Sequence, residues 1–313
     1  FKQKTAYEIM PSLVGSEMCI RDRLDVLLYY AIISEKLIGF LRNKEIATKI
    51  WLPHNNIRFF LRRATAFRPL YIQDFSHVSL EMIEMRAKYN IGKVRNKLTE
   101  KQILLWDYFV PRKLVDFFYA CNGEKRSKTI DRIFIDIDRG KKVDTETARE
   151  VTCKLVEIIE NDLELQKLIK YKVFVMWTGN SFHVYLILKN QIEASFYNKY
   201  LTNYRHQSGN SFIERWVKEI RKNTGINVKV GHEKLKDYII VDPSGTPIGK
   251  LARTPFSLHM KSATEIDGVA LPLVKDELRN KQLIKKLRSY TPQRVVKELD
   301  SLSLHLTQKN DRI

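Results

Sequence analysis

In Arg132–Asp138 (RIFIDID) every second residue is Ile, with Arg132, Phe134, Asp136 and Asp138 between them, the period of a β-strand with two unlike faces. On such a strand Asp136 and Asp138 project to one face, and Ile135 and Ile137 to the other. The apolar face needs cover, and the next segment supplies it. Asp144–Lys170 carries Ala148, Val151, Leu155, Ile158 and Ile159 as a single helical stripe. Lys172–Thr178 (KVFVMWT) and Ser181–Leu188 (SFHVYLIL), joined by Gly179-Asn180, read as a tight β-hairpin. Phe212, Trp216 and Ile220 then recur every four residues, with Gly225 as a helix stop, and Tyr238–Asp242 (YIIVD) is a short apolar strand. Strands alternating with helices over 131–262 predict an α+β domain, a mixed β-sheet with helices packed on one face.

The flanks look more helical. Leu24–Arg42, Val78–Asn90 and Thr99–Tyr108 have helical spacing, and Pro111 suggests a further helix over Arg112–Ala120. Phe59–Ile72 mixes aromatics with Arg62, Arg63 and Arg68 ahead of Pro69, which ends any helix there. Lys275–Leu287 and Pro292–Leu304 read as charged helical turns. The chain opens on Phe1, as a fragment would, and Pro11–Arg23 (PSLVGSEMCIRDR) looks like a translated library-adapter sequence. Residues 1–23 are therefore expected to carry no fold information, the alternative being a native amphipathic N-terminus. The expected division is 1–23, a mainly helical part at 24–120, a catalytic core at 121–265 and a helical extension at 266–313.

Composition narrows the partners. With 55 Lys+Arg against 36 Asp+Glu the net charge is +19, which favours a polyanion such as nucleic acid. The longest clean apolar run, Val26–Ile33, is far short of the ~20 residues that cross a bilayer, so no membrane partner is expected. Cys19, Cys121 and Cys153 have no CxxC spacing, which excludes a disulfide framework and a Cys-rich zinc or iron–sulfur site in this chain, and suggests a reducing, intracellular compartment.

Three segments could carry chemistry. The Asp136/Asp138 pair repels itself unless a cation intervenes, and a hard divalent ion such as Mg²⁺ or Mn²⁺ would relieve that repulsion. The bland alternative is a solvated strand end neutralised by Arg139 and Lys141. In Thr178-Gly179-Asn180-Ser181-Phe182-His183, Ser181 and His183 share a strand face and could donate hydrogen bonds to phosphate oxygens, although a lone His is more often structural. Downstream of the acid Asp242 comes Arg253-Thr254-Pro255-Phe256-Ser257-Leu258-His259-Met260-Lys261, where single basic groups alternate with apolar anchors. A plain basic loop would be more uniformly charged.

The order FIDID, TGNSFHVYLIL, IIVD and RTPFSLHMK resembles the archaeo-eukaryotic primase superfamily, specifically the small catalytic subunit of archaeal and eukaryotic DNA primases. Arg253, Pro255, Ser257, His259 and Lys261 fill the fixed positions of that family's basic segment, and the resemblance spans about 131–262. A fainter likeness reaches back to RRATAFRPL. The resemblance implies a mixed-sheet catalytic core with flanking helices and a two-metal site for Mg²⁺ or Mn²⁺ on Asp136, Asp138 and Asp242. It also implies a nucleotide clamp of Thr178, Ser181, His183, Arg253, Ser257, His259 and Lys261. The implied activity is primer synthesis from NTPs or dNTPs on a single-stranded DNA template. The implied partner is a primase large subunit bearing an iron–sulfur domain, as a separate chain or a missing C-terminal part, in a prokaryotic, archaeal, nucleoid-associated cytoplasmic setting.

The hairpin is one residue shorter than the family pattern, which leaves open whether Thr178 or Ser181 takes the hydroxyl role, and the stretch from Asp242 to Arg253 is also one short. No Cys/His zinc cluster is present, and His206 and His232 are too isolated to replace one. A stand-alone primase-polymerase or a repair polymerase of the same superfamily would share the motifs. A non-catalytic nucleic-acid-binding module and a Mg²⁺-dependent nuclease are rivals of other classes.

Overall fold

The alternating segment around Asp136 is the middle of a long strand at the centre of a sheet. A computed structural model describes residues 25–52, 59–202, 211–233 and 235–306, so the adapter-like segment 1–23 and His206 lie outside the described residues. Along the first part of the chain run α1 (Val26–Leu37), β1 (Ile46–Ile50), β2 (Phe60–Arg63), α2 (Leu80–Lys88), α3 (Glu100–Tyr108) and β3 (Asp116–Ala120). There follow β4 (Thr129–Arg139), α4 (Thr145–Asn161), β5 (Tyr171–Trp177), β6 (Phe182–Glu193), α5 (Phe212–Thr224), β7 (Val228–Val230) and β8 (Ile239–Asp242). Short strands β9 (Leu251–Arg253), β10 (Leu258–Met260), β11 (Ile266–Val269) and β12 (Leu271–Leu273) lead into helical turns at Leu283–Arg288, Pro292–Lys297 and Leu299–Ser303.

The fold class is α+β, as expected. Six strands form a mixed sheet in the order β12-β5-β6-β4-β8-β7, antiparallel throughout except for the parallel β7/β8 edge. Ile133, Ile135 and Ile137 of β4 are fully buried, and truncating one to Ala would cost about 2–5 kcal/mol in a core of this kind. Their cover includes the stripe read from the sequence, since Ala148, Val151, Leu155, Ile158 and Ile159 of α4 are all buried. Asp144 caps α4 by accepting from the Thr147 amide at 2.7 Å. Gly225 ends α5 in the left-handed conformation, at φ 70°.

A second, antiparallel sheet has the order β2-β1-β3-β9. Here the helix expected over Arg112–Ala120 is replaced by β3. The run Val115–Ala120 is rich in aromatic residues that suit a strand, and β3 is paired on both sides, to β1 and to β9. Pairing in the tertiary structure outweighed the Pro111 signal. Through β9 this sheet joins the N-terminal part of the chain to the segment carrying Arg253. The helical turns Pro292–Lys297 and Leu299–Ser303 return to pack on α1. No helix among the described residues is long and apolar enough to cross a membrane.

Candidate active site

Strand register builds the site. Asp136 of β4 stands directly opposite Asp242 of β8 on one side and His183 of β6 on the other. Cross-strand partners of this kind hold their Cβ atoms about 4.5–5.5 Å apart. Asp138 lies two residues on, so it shares the face of Asp136, while its β8 partner is Ile240. Phe134, two residues before, supports the ring of His183 edge-to-face at 4.7 Å. His183 Nε2 is 3.4 Å from Asp136 Oδ1.

This acidic face forms one wall of a cleft of about 760 Å³, and β1, β3 and β9 form part of the opposite wall. Asp136, Asp138, Asp242, Thr178, Ser181, His183, Arg253 and His259 all line it. Residues from four separated stretches of sequence are therefore brought together. Ser257 and Lys261 are not in the wall. Ser257 is buried, accepting from the Phe117 amide at 2.8 Å and donating to the Leu258 carbonyl at 2.9 Å, so its hydroxyl joins two chain segments and does not face a ligand. Lys261 is exposed and pairs with Glu265 at 3.0 Å.

The three aspartates offer only carboxylate oxygens on one sheet face, a donor chemistry that fits a hard divalent cation. They are aligned by register but not gathered. Among the described residues no three His, Cys, Asp or Glu side chains form a group close enough to hold a metal. One Asp242 oxygen accepts from the Ser244 amide at 2.8 Å, which turns that carboxylate toward its own loop.

The hairpin turn is held tightly. Thr178 N–H donates to the Ser181 carbonyl at 2.9 Å, and Ser181 N–H donates to the Thr178 hydroxyl at 3.1 Å. The Ser181 hydroxyl donates to the Ile137 carbonyl, tying the turn to β4. Arg139 grips the same turn from below through the Asn180 carbonyl and side chain. Gly179 has φ 100°, and a Cβ there would fall 2.6 Å from the Cβ of His259. Only glycine allows the turn to sit against His259.

Two further cleft-lining residues and a buried acid behind the wall escaped the sequence reading. Asp116 on β3 is fully buried and binds Arg253 Nη1 at 3.0 Å, the Met260 amide at 3.1 Å and Lys49 Nζ at 3.4 Å. It anchors the arginine of the cleft wall, which also donates to the Leu258 carbonyl at 2.5 Å. A single acid inside the apolar run Val115–Ala120 was the available signal. Lys49 and Lys250, which also line the cleft, had none beyond the general basicity of the chain. His259 keeps a buried Nδ1 with no hydrogen-bond partner. Burial, followed by the nearby Arg253 charge, pushes its pKa down to about 4, so the imidazole is neutral at pH 7.

No family model matches the chain, and no curated protein is similar to it. Among solved structures it is similar to the polymerase domain of Mycobacterium tuberculosis ligase D in complex with DNA, at a TM-score of 0.52 and 14% identity. The match covers 90% of this chain and 91% of that one. At this identity the likeness establishes a shared fold.

Proposed function

We propose that this chain transfers nucleotides from nucleoside triphosphates to the 3′ end of a nucleic-acid strand, in a reaction dependent on divalent metal. The observation that carries the reading is the direct pairing of Asp136 with both Asp242 and His183 in a cleft that also holds Arg253 and His259. Acids on one side and cations on the other are what a triphosphate with bound cations requires. Asp136, Asp138 and Asp242 would hold Mg²⁺ or Mn²⁺, which when bound lowers the pKa of an attacking hydroxyl and neutralises charge on the transferred phosphate. The chain's own residues then bind and orient. Lys49 and Arg253 present positive charge to the triphosphate, with Arg253 held in place by Asp116. His183 is positioned between Asp136 and the Phe134 ring to meet a phosphate oxygen, and neutral His259, packed against the Gly179 turn, can donate one hydrogen bond.

The finer reading is primer synthesis on single-stranded DNA, as the small catalytic subunit of a primase working with an iron–sulfur large subunit. A second reading, a stand-alone primase-polymerase or repair polymerase, is favoured by the likeness to the ligase D polymerase domain over nearly the whole of both chains. Synthesis of a new strand without a primer supports a primase or a stand-alone primase-polymerase over a pure extender. Extension restricted to pre-existing 3′ ends supports a repair polymerase. The common core is tested by assaying the protein and its Asp136→Ala and Asp138→Ala variants for nucleotide incorporation on primed and unprimed DNA with Mg²⁺ or Mn²⁺. A loss of about 100-fold or more is expected, comparable to removing a preorganised charge-stabilising group. Full activity in either variant overturns the metal assignment.

A further inference from the structure

A second groove, of about 880 Å³, begins where the cleft ends. Arg139 and Lys141 line both. From there the groove passes over the loop between β4 and α4 to the C-terminal helical turn Leu283–Arg288, and Lys142, Lys281, Lys285 and Arg288 complete its basic wall. The two acids in that wall are engaged elsewhere. Asp144 caps α4 through the Thr147 amide, and Glu146 pairs with Arg149 at 2.6 Å. Lys141, Lys281 and Lys285 are exposed and make no ion pair with another described residue, and Arg288 donates to the Thr145 hydroxyl at 2.7 Å. Among the described residues no aromatic ring lines the groove, so they offer nothing for bases to stack on.

We infer that this groove carries the phosphate backbone of the nucleic-acid strand away from the cleft, making the C-terminal turn part of the substrate-binding surface. The inference rests on the proposed nucleotidyl-transfer reading. A wall rich in cations and lacking rings fits phosphates bound through charge alone, with no sequence preference. Continuity with the cleft through Arg139 and Lys141 selects nucleic acid over other polyanions. On this view Lys281 and Lys285 contact phosphates a few nucleotides from the reacting end.

The test is fluorescence anisotropy of a labelled single-stranded oligodeoxynucleotide, titrated at several salt concentrations. The full chain is compared with Lys281→Gln/Lys285→Gln and with Lys125→Gln/Arg126→Gln, a control pair from a different cavity. The groove variant is expected to bind at least several-fold more weakly. The slope of log K against log salt should be shallower by about 0.7 for each lost contact to a single strand. The control should keep both affinity and slope, and melting curves of all three proteins should coincide. Unchanged affinity and slope in the groove variant, or an equal loss in the control, overturns the inference while leaving the nucleotidyl-transfer reading intact. Failure of the unaltered chain to bind the oligonucleotide at all overturns that reading as well.

Discussion

Asp136 and Asp242, far apart in the chain, are direct partners across the antiparallel pair β4/β8. Like charges placed opposite each other in a sheet are unfavourable, by roughly 0.2–1 kcal/mol. A cation between the two carboxylates would relieve that repulsion.

Asp242→Asn should therefore separate stability from activity. Asn can still accept from the Ser244 amide, and the repulsion with Asp136 is removed. Thermal unfolding in low salt without divalent ions is expected to be unchanged or slightly raised, while nucleotide incorporation falls about 100-fold or more. A marked drop in melting temperature would mean that Asp242 is chiefly structural.

Asp116 makes the opposite prediction. It is buried beneath Arg253, so Asp116→Ala leaves an uncompensated guanidinium in the interior. Breaking a buried pair this way costs about 3–5 kcal/mol, which a urea titration would read as a lower midpoint. Replacing both residues with apolar ones, as in Asp116→Leu/Arg253→Met, should restore much of that stability without restoring nucleotide binding.

His259 gives a pH signature. Its folded pKa of about 4 lies below the ordinary value of 6.5. Between these values the unfolded chain binds a proton that the folded chain does not. The contribution of this residue is thus fully present above pH 6.5, declines as pH falls through that window, and levels off below about 4. The slope of unfolding free energy against pH should differ between the protein and His259→Gln by up to about 1.4 kcal/mol per pH unit there, and by nothing at pH 8. Identical slopes would show that the imidazole is not buried as described.

Gly179→Ala tests the close approach of the hairpin turn to His259. The added methyl meets His259 in a backbone conformation that disfavours L side chains, so a loss of about 1–3 kcal/mol is expected on calorimetric melting. The KM for the nucleoside triphosphate should rise as His259 is displaced. Wild-type stability and KM together would rule out that contact.

Much of this was legible in the sequence because it depends on local period. Alternation in RIFIDID set the shared face of Asp136 and Asp138, a three-to-four spacing set the stripe of α4, and Gly179-Asn180 set the hairpin. Those are short-range consequences of backbone geometry. The strand at Asp116–Ala120 was misread as helix because its pairing partners, Ile46–Lys49 and Leu251–Arg253, lie far away in the chain. The same distance hid Asp116 as the anchor of Arg253, and motif position alone gave no sign that the Ser257 hydroxyl would turn inward.

The α+β class, the acidic strand face and the basic segment that follows it each rest on residues within a few positions of one another, and so are written in the local sequence. Long-range packing was needed to set Asp242 opposite Asp136, to bring Lys49 to the cleft wall with Asp116 behind it, and to join the cleft to the groove at the basic C-terminal turn. Those outcomes depend on strand order and register, which are set by burial of whole faces across the sheet and leave no local trace in the chain.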